Sequence, residues 1–272
     1  MKYKLIVSDF DHTLNYRSDY TPSQRTLDAI AAYQAKGGIF AISTGRVWSS
    51  IQPCLSKYNL DKVDMPIMCV NGSVAYSIKT GKVILEERLT NDQTIQILNY
   101  VYALNQHVMV ESDSITYVQQ DDDEQTYLDF DNIIISKQPN LMHFVVDNKV
   151  CPHACGILCN SMDIEQFKVD FDAKFDFVDT TILDHNLTEV TSNRAGKGNL
   201  AVAIARLLNV DVQNMICIGD GNNDISMIEL AGLGVAVGNA SDSVKKSAKL
   251  VTDRADQDGV AKIIEEATQD LL

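Results

Sequence analysis

Asp9 and Asp11 follow directly on the apolar run Leu5-Ile6-Val7. Side chains two apart on a strand point to the same side, so both carboxylates crowd one place. Two such groups attract a divalent cation, and a hard all-oxygen set favours Mg²⁺. Neighbouring carboxylates also split each other's pKa values, leaving one as a nucleophile and the other as a proton donor. The same string reads equally as a polar turn after a buried strand. Thr44 stands in Ser43-Thr44-Gly45-Arg46, between the apolar run Ile39 to Ile42 and a helix-like stretch. Its hydroxyl, with the amides of Gly45 and Arg46, suits phosphoryl oxygens, or else simply caps a helix.

Lys197 opens a helix after Ala195-Gly196. Its ammonium suits a carboxylate nucleophile and the charge on a transferring phosphoryl group, although a lysine taken singly is usually solvated. The strongest string is Gly219-Asp220-Gly221-Asn222-Asn223-Asp224. Glycines permit a tight turn and close backbone approach, while Asp220, Asn223 and Asp224 supply the polar groups. An EF-hand calcium loop requires a different spacing and a distal Glu.

The elements that must position these residues alternate in type. From 1 to about 84, short apolar runs alternate with helical patterns over Ser23 to Ala35 and Val47 to Lys57. Strand Pro66 to Val70 and an Asn71-Gly72 turn follow. The alternation returns near 197, with a helix to Leu208, strand Met215 to Ile218, a helix over Asp224 to Ala231, and a terminal helix from about Gly259. Such alternation predicts βαβ units and a parallel sheet. Ligands bind beyond the carboxyl ends of the strands in such sheets, where the four strings would meet. Between about 85 and 189 the texture differs. A helix is expected over Asn91 to Leu104, strands over 108–110, 115–118 and Leu141 to Val146, and a helix near 152–162. The expected organisation is a core domain of residues 1–84 and 190–272 with an inserted α+β domain of 85–189.

Composition narrows the function classes. The 272 residues carry 23 basic and 37 acidic side chains, a net charge of −14. That balance argues against nucleic-acid binding, which recruits dense Lys and Arg surfaces. No apolar run reaches the ~18 residues that span a membrane, and the six cysteines are too few for a disulfide scaffold in a chain of this length. A cytoplasmic protein without membrane attachment is expected, and any anionic substrate must be drawn in by local charge, Arg46 being a further candidate contact. Cys151, Cys155 and Cys159 lie at spacings that share one helical face. With no fourth ligand at zinc-site spacing, they read as buried core cysteines, and the acidic run 121–124 reads as a solvated loop.

In order and placement, the strings Asp9-Phe10-Asp11-His12-Thr13-Leu14, Ser43-Thr44-Gly45-Arg46, Lys197-Gly198 and Gly219 to Asp224 resemble the haloacid dehalogenase (HAD) superfamily, specifically Cof-type phosphatases with an α/β cap (HAD-IIB-like). Asn71-Gly72 and Asp258-Gly259-Val260 are similar to that subfamily as well. The resemblance covers the core, whereas residues 85–189 match the cap only in position and texture. It implies an α/β fold: a Rossmann-like doubly wound parallel-sheet core with an inserted α+β cap domain that sets substrate choice. It further implies a Mg²⁺-dependent phosphatase of small phosphorylated metabolites, sugar phosphates foremost, acting through an aspartyl-phosphate. In that scheme Asp9 is the nucleophile and Asp11 the acid/base. Mg²⁺ is held by the Asp9 carboxylate, the Asp11 backbone carbonyl and the Asp220 side chain. Phe10 and Gly45 through their amides, with Thr44, Lys197 and Asn223, bind the phosphoryl group, and Asp224 orients Lys197. A phosphosugar mutase and a non-enzymatic phosphometabolite sensor stand as alternatives.

Overall fold

The computed structural model describes residues 1–16, 21–57, 60, 65–119, 133–159 and 162–272. The acidic run 121–124 lies outside the described residues. Two compact units make up the chain: Met1–Gly45, Cys54–Leu85 and Gly196–Leu272 form the first, Arg46–Pro53 and Glu86–Ala195 the second.

The first unit is built on β1 (Leu5–Asp9), β2 (Ile39–Ser43), β3 (Pro66–Cys69), β4 (Val74–Ser77), β5 (Val83–Glu86), β12 (Met215–Gly219), β13 (Leu233–Ala236) and β14 (Leu250–Val251), with the remaining strands in the second unit. The order across the sheet is β14-β13-β12-β1-β2-β3-β4-β5. Pairing is parallel from β14 through to β3, and β4 turns antiparallel against β3. The chain leaves β1 for β2 on one side and returns to β12 on the other, so the sheet reverses direction at β1. That reversal is the switch point at which open α/β sheets leave a crevice, and Asp9 is the last residue of β1.

Sequence chemistry explains the helices around this sheet. In α1 (Gln24–Ala35), Ser23 is the N-cap, its side chain accepting from the Thr26 amide, and Gly37 at φ +83° follows the C-terminus. α6 (Lys197–Leu207) lays Leu200, Ala201, Ile204 and Ala205 against Leu5, Val7, Ala41, Met68, Met215 and Cys217 of the sheet. This helical 3–4 spacing meets strand alternation on both partners, the pattern that buries one face of each. α7 (Ile225–Leu230) adds Met227 to the same cluster, and α9 (Gly259–Thr268) packs on α1.

The second unit holds a sheet of order β10-β11-β9-β6-β7-β8. Its strands are β6 (His107–Ser112), β7 (Ile115–Gln119), β8 (Ile134–Gln138), β9 (Ala154–Leu158), β10 (Val178–Asp184) and β11 (Leu187–Ser192). Pairing is antiparallel except between β7 and β8. Helices α3 (Asn91–Ala103), α4 (Leu141–Asp147) and α5 (Ile164–Lys174) contribute Ile97, Leu98, Val101, Leu141, Val145, Phe167 and Phe171 to its core.

Two expectations are corrected. The helix expected near 152–162 is strand β9 over Ala154–Leu158, and every residue of it is buried. An apolar run buried on both faces carries no period that separates strand from helix. Cys155 and Cys159 do lie in the core, Cys155 on β9 and Cys159 just past its end, and Cys151 is partly exposed. The strand expected over Leu141 to Val146 is helix α4, because the Asn140 side chain accepts from the His143 amide and caps its first turn. The compact units divide at Leu85/Glu86 and Ala195/Gly196, with β11 whole in the second unit, as is Arg46–Pro53. Among the described residues no helix is long and apolar enough to cross a membrane.

Candidate active site

Lys197 and Asp9 meet in the first unit across the sheet and its covering helix. The Lys197 Nζ donates to Asp9 Oδ1 at 2.6 Å and to Asp224 Oδ1 at 2.6 Å. Lys197 and Asp224 are each 1% exposed and Asp9 6%. Burial disfavours the ammonium, yet Asp224 and Asp9 outweigh it and hold Lys197 charged well above the ordinary lysine range. Burial pushes the Asp9 carboxyl well above the usual carboxylate range; Lys197 opposes that rise, while Asp224 and Asp220 add to it. Three carboxyls thus gather around one buried lysine.

The Gly219–Asp224 turn works as a frame around Asp224. Its Oδ2 accepts from the amides of Asp220 and Gly221, both at 3.0 Å. A Cβ on Gly219 would stand 2.5 Å from the Asp224 carboxyl, so the turn closes only over glycine. Asp220, half-buried, accepts from Thr13 Oγ1 at 2.6 Å through its Oδ1. Burial raises its carboxyl above the ordinary range, opposed by the Thr13 hydrogen bond.

Asn71 joins the other two loops. Its amide donates to the Thr44 carbonyl at 3.2 Å, and the Thr44 amide donates to the Met68 carbonyl at 2.8 Å. Asn223 Nδ2 donates to Asn71 Oδ1 at 2.8 Å, and a Cβ on Gly45 would come within 3.2 Å of that oxygen. Asn71 sits at φ 46°, ψ 35°, the left-handed conformation that asparagine tolerates better than most residues.

Of the expected site residues, Asp9, Lys197, Asp224 and Asp220 are thus brought into one cluster. Asn223, Thr44 and Gly45 are gathered through Asn71, and Phe10 is fully buried beside Asp9. Asp11 lies just past β1, half-buried, its backbone bridged to Asn15. Sequence reading did not place Asn71 and Thr13 in the site, although both stood in strings already singled out.

The expected Mg²⁺ can be tested against this geometry. Ligand atoms of Asp9, Asp220 and Asp224 lie within 4.8 Å of one another. Both oxygens of Asp224 are already engaged by Lys197 and two amides. Asp9 and Asp220 are left as the carboxylates whose oxygens fit a hard divalent cation.

The chain matches the family model of haloacid dehalogenase-like hydrolases over residues 6–264. It belongs to that family. Among similar proteins, the 5-amino-6-(5-phospho-D-ribitylamino)uracil phosphatase of Bacillus subtilis is 26% identical over 292 residues, covering 97% of each chain. The pyridoxal phosphate phosphatase of Escherichia coli is 25% identical over 299 residues, covering 97% of this chain and 98% of its own. The crystal structure of TM0651 from Thermotoga maritima superposes with a TM-score of 0.83 at 25% identity, covering 97% of each chain. The sequence expectation of a HAD-like hydrolase, with an α/β core sheet and an inserted second domain, agrees with these findings.

Proposed function

We propose that this HAD-like hydrolase is a phosphatase that hydrolyses small phosphorylated metabolites, sugar phosphates foremost, through an aspartyl-phosphate on Asp9. The observation that carries the reading is the buried Lys197 ammonium shared between Asp9 and Asp224, with Asp220 beside them. One cation among three carboxylates at a switch point suits phosphoryl transfer, which depends mostly on positioning and charge stabilisation.

The Asp9 carboxylate attacks phosphorus as the ester oxygen departs, and Asp11 protonates that leaving oxygen. Asp11 then takes a proton from the water that attacks the aspartyl-phosphate, which releases inorganic phosphate and restores Asp9. Lys197 stabilises charge on the transferring group while keeping the nucleophile fixed. Asp224 holds the lysine in place, and Thr44, Asn223 and the Phe10 and Gly45 amides contact the phosphoryl oxygens. When bound, Mg²⁺ on Asp9, Asp220 and the Asp11 carbonyl supplies positive charge at the phosphoryl group. The second unit acts as the cap that selects the substrate.

Phosphate release from a panel of phosphomonoesters, with Mg²⁺ and with EDTA, tests the reading. Release that requires Mg²⁺ and vanishes in Asp9→Asn supports it. An isomerised sugar phosphate in place of free phosphate marks a mutase, and ligand binding without turnover marks a sensor.

A further inference from the structure

Ser43 ends β2 and stands directly across from Asp9, the last residue of β1, in the parallel pairing of the two strands. Alternation along both strands places the pair on the face of Leu5, Val7 and Ala41, which α6 covers. On its other side Ser43 pairs with Met68 of β3, a member of the same apolar cluster. Its neighbours across the sheet are therefore one carboxyl group and one apolar side chain. Ser43 is 0% exposed, and among the described residues its Oγ has no hydrogen-bond partner. A buried hydroxyl normally finds one, as Ser8 on β1 does by donating to the Asp9 carbonyl at 2.8 Å. An orphan costs stability, and groups that break the rule concentrate at functional sites.

In the resting site the Asp9 carboxyl is held by Lys197, whose Nζ donates to Oδ1 at 2.6 Å. Phosphorylation changes what Asp9 requires of its neighbours. The carboxylate becomes a neutral acyl group, the negative charge moves to the phosphoryl oxygens, and the Lys197 ammonium follows that charge. The acyl oxygen then lacks a donor, and the Ser43 hydroxyl lacks an acceptor.

We infer that Ser43 is a positioning residue for the second step, its hydroxyl donating to the acyl oxygen of the aspartyl-phosphate on Asp9; the inference rests on the phosphatase reading. The hydrogen bond holds the acyl phosphate in line for the attacking water. As the water oxygen bonds to phosphorus, the bond between phosphorus and Asp9 breaks and its electron pair returns to the carboxylate. Asp11 takes the proton of the water, and Lys197 recovers the charged Asp9. Ser43 neither exchanges a proton nor forms a covalent bond. Its hydroxyl is unpartnered at rest because its acceptor is made only by the first step.

The test compares Ser43→Ala with the wild type in steady-state turnover of a phosphomonoester with Mg²⁺ and in acid-quenched samples of the same reaction. Slowed hydrolysis should lower kcat by about 10–100-fold and KM with it, leaving kcat/KM, which reports the first step, unchanged. The share of phosphorylated Asp9 peptide should rise above that of the wild type. The ligand-free variant should melt no lower than the wild type, because it loses an unsatisfied hydroxyl. An unchanged kcat, or a lower kcat without accumulation of the phosphorylated peptide, overturns the proposal. If the wild type neither releases phosphate nor becomes phosphorylated, the phosphatase reading fails by itself. Melting with Mg²⁺ and beryllofluoride, which bonds to a carboxylate oxygen as a phosphoryl group does, then decides the role of Ser43. A larger rise in melting temperature for the wild type than for Ser43→Ala supports it, and equal rises or none overturn it.

Discussion

Gly72 and Gly196 approach so closely that a Cβ on Gly72 would fall 2.3 Å from the Gly196 carbonyl carbon and 2.6 Å from the Lys197 amide nitrogen. Both glycines have positive φ, +88° and +111°. The backbone ahead of Lys197 therefore rests directly on the turn that carries Asn71. Gly72→Ala adds both a clash and a strained φ, with a cost of about 1–3 kcal/mol. It should lower the melting temperature and reduce turnover beyond what the lost stability explains, because Lys197 shifts with its anchor. An unchanged melting temperature would count against this packing.

Lys197 balances two buried carboxylates at once. Lys197→Met leaves both uncompensated, and breaking a buried ion pair from one side costs about 3–5 kcal/mol. Denaturant unfolding of the metal-free protein should show a loss of that order, accompanied by loss of turnover.

Asp224 acts through what it holds: the Lys197 ammonium on one oxygen and the amides of Asp220 and Gly221 on the other. In Asp224→Asn an NH₂ group must face one of these donors. Groups that orient a reacting centre typically contribute about 10–100-fold, so kcat should fall within that range with KM little changed. A rise in KM alone would contradict the assignment.

Glu111 links stability to pH. Its carboxyl titrates near 4.5 when unperturbed and is pushed up to about 8 by burial and then by Glu189. The fold thus binds this proton more tightly than the unfolded chain does. Stability from this group is complete below the lower value and is lost as pH rises through the upper one. Glu111→Gln should therefore raise the melting temperature of the ligand-free protein at about pH 9 and have little effect at about pH 5. Parallel curves for the two proteins would refute the linkage.

The sequence made much of the first unit legible. Its strands end in polar strings, and helices such as α1 carry their own cap, so the convergence of Asp9, Lys197 and Asp220 followed from topology. Asn71 was visible as a turn residue, but its bond to Asn223 joins distant loops and has no local signal. In the second unit β9 was misread because both of its faces are buried. Glu111 and Glu189 become neighbours across the sheet only through a register that no periodicity encodes.

The most direct test of the central claim is to trap the phosphorylated protein. With a turned-over phosphomonoester and Mg²⁺, an acid quench in the first turnover should leave one phosphoryl group on the peptide that contains Asp9. Asp9→Asn should show none. Phosphate release without any phosphorylated peptide, or release by Asp9→Asn at the wild-type rate, would contradict Asp9 as the nucleophile.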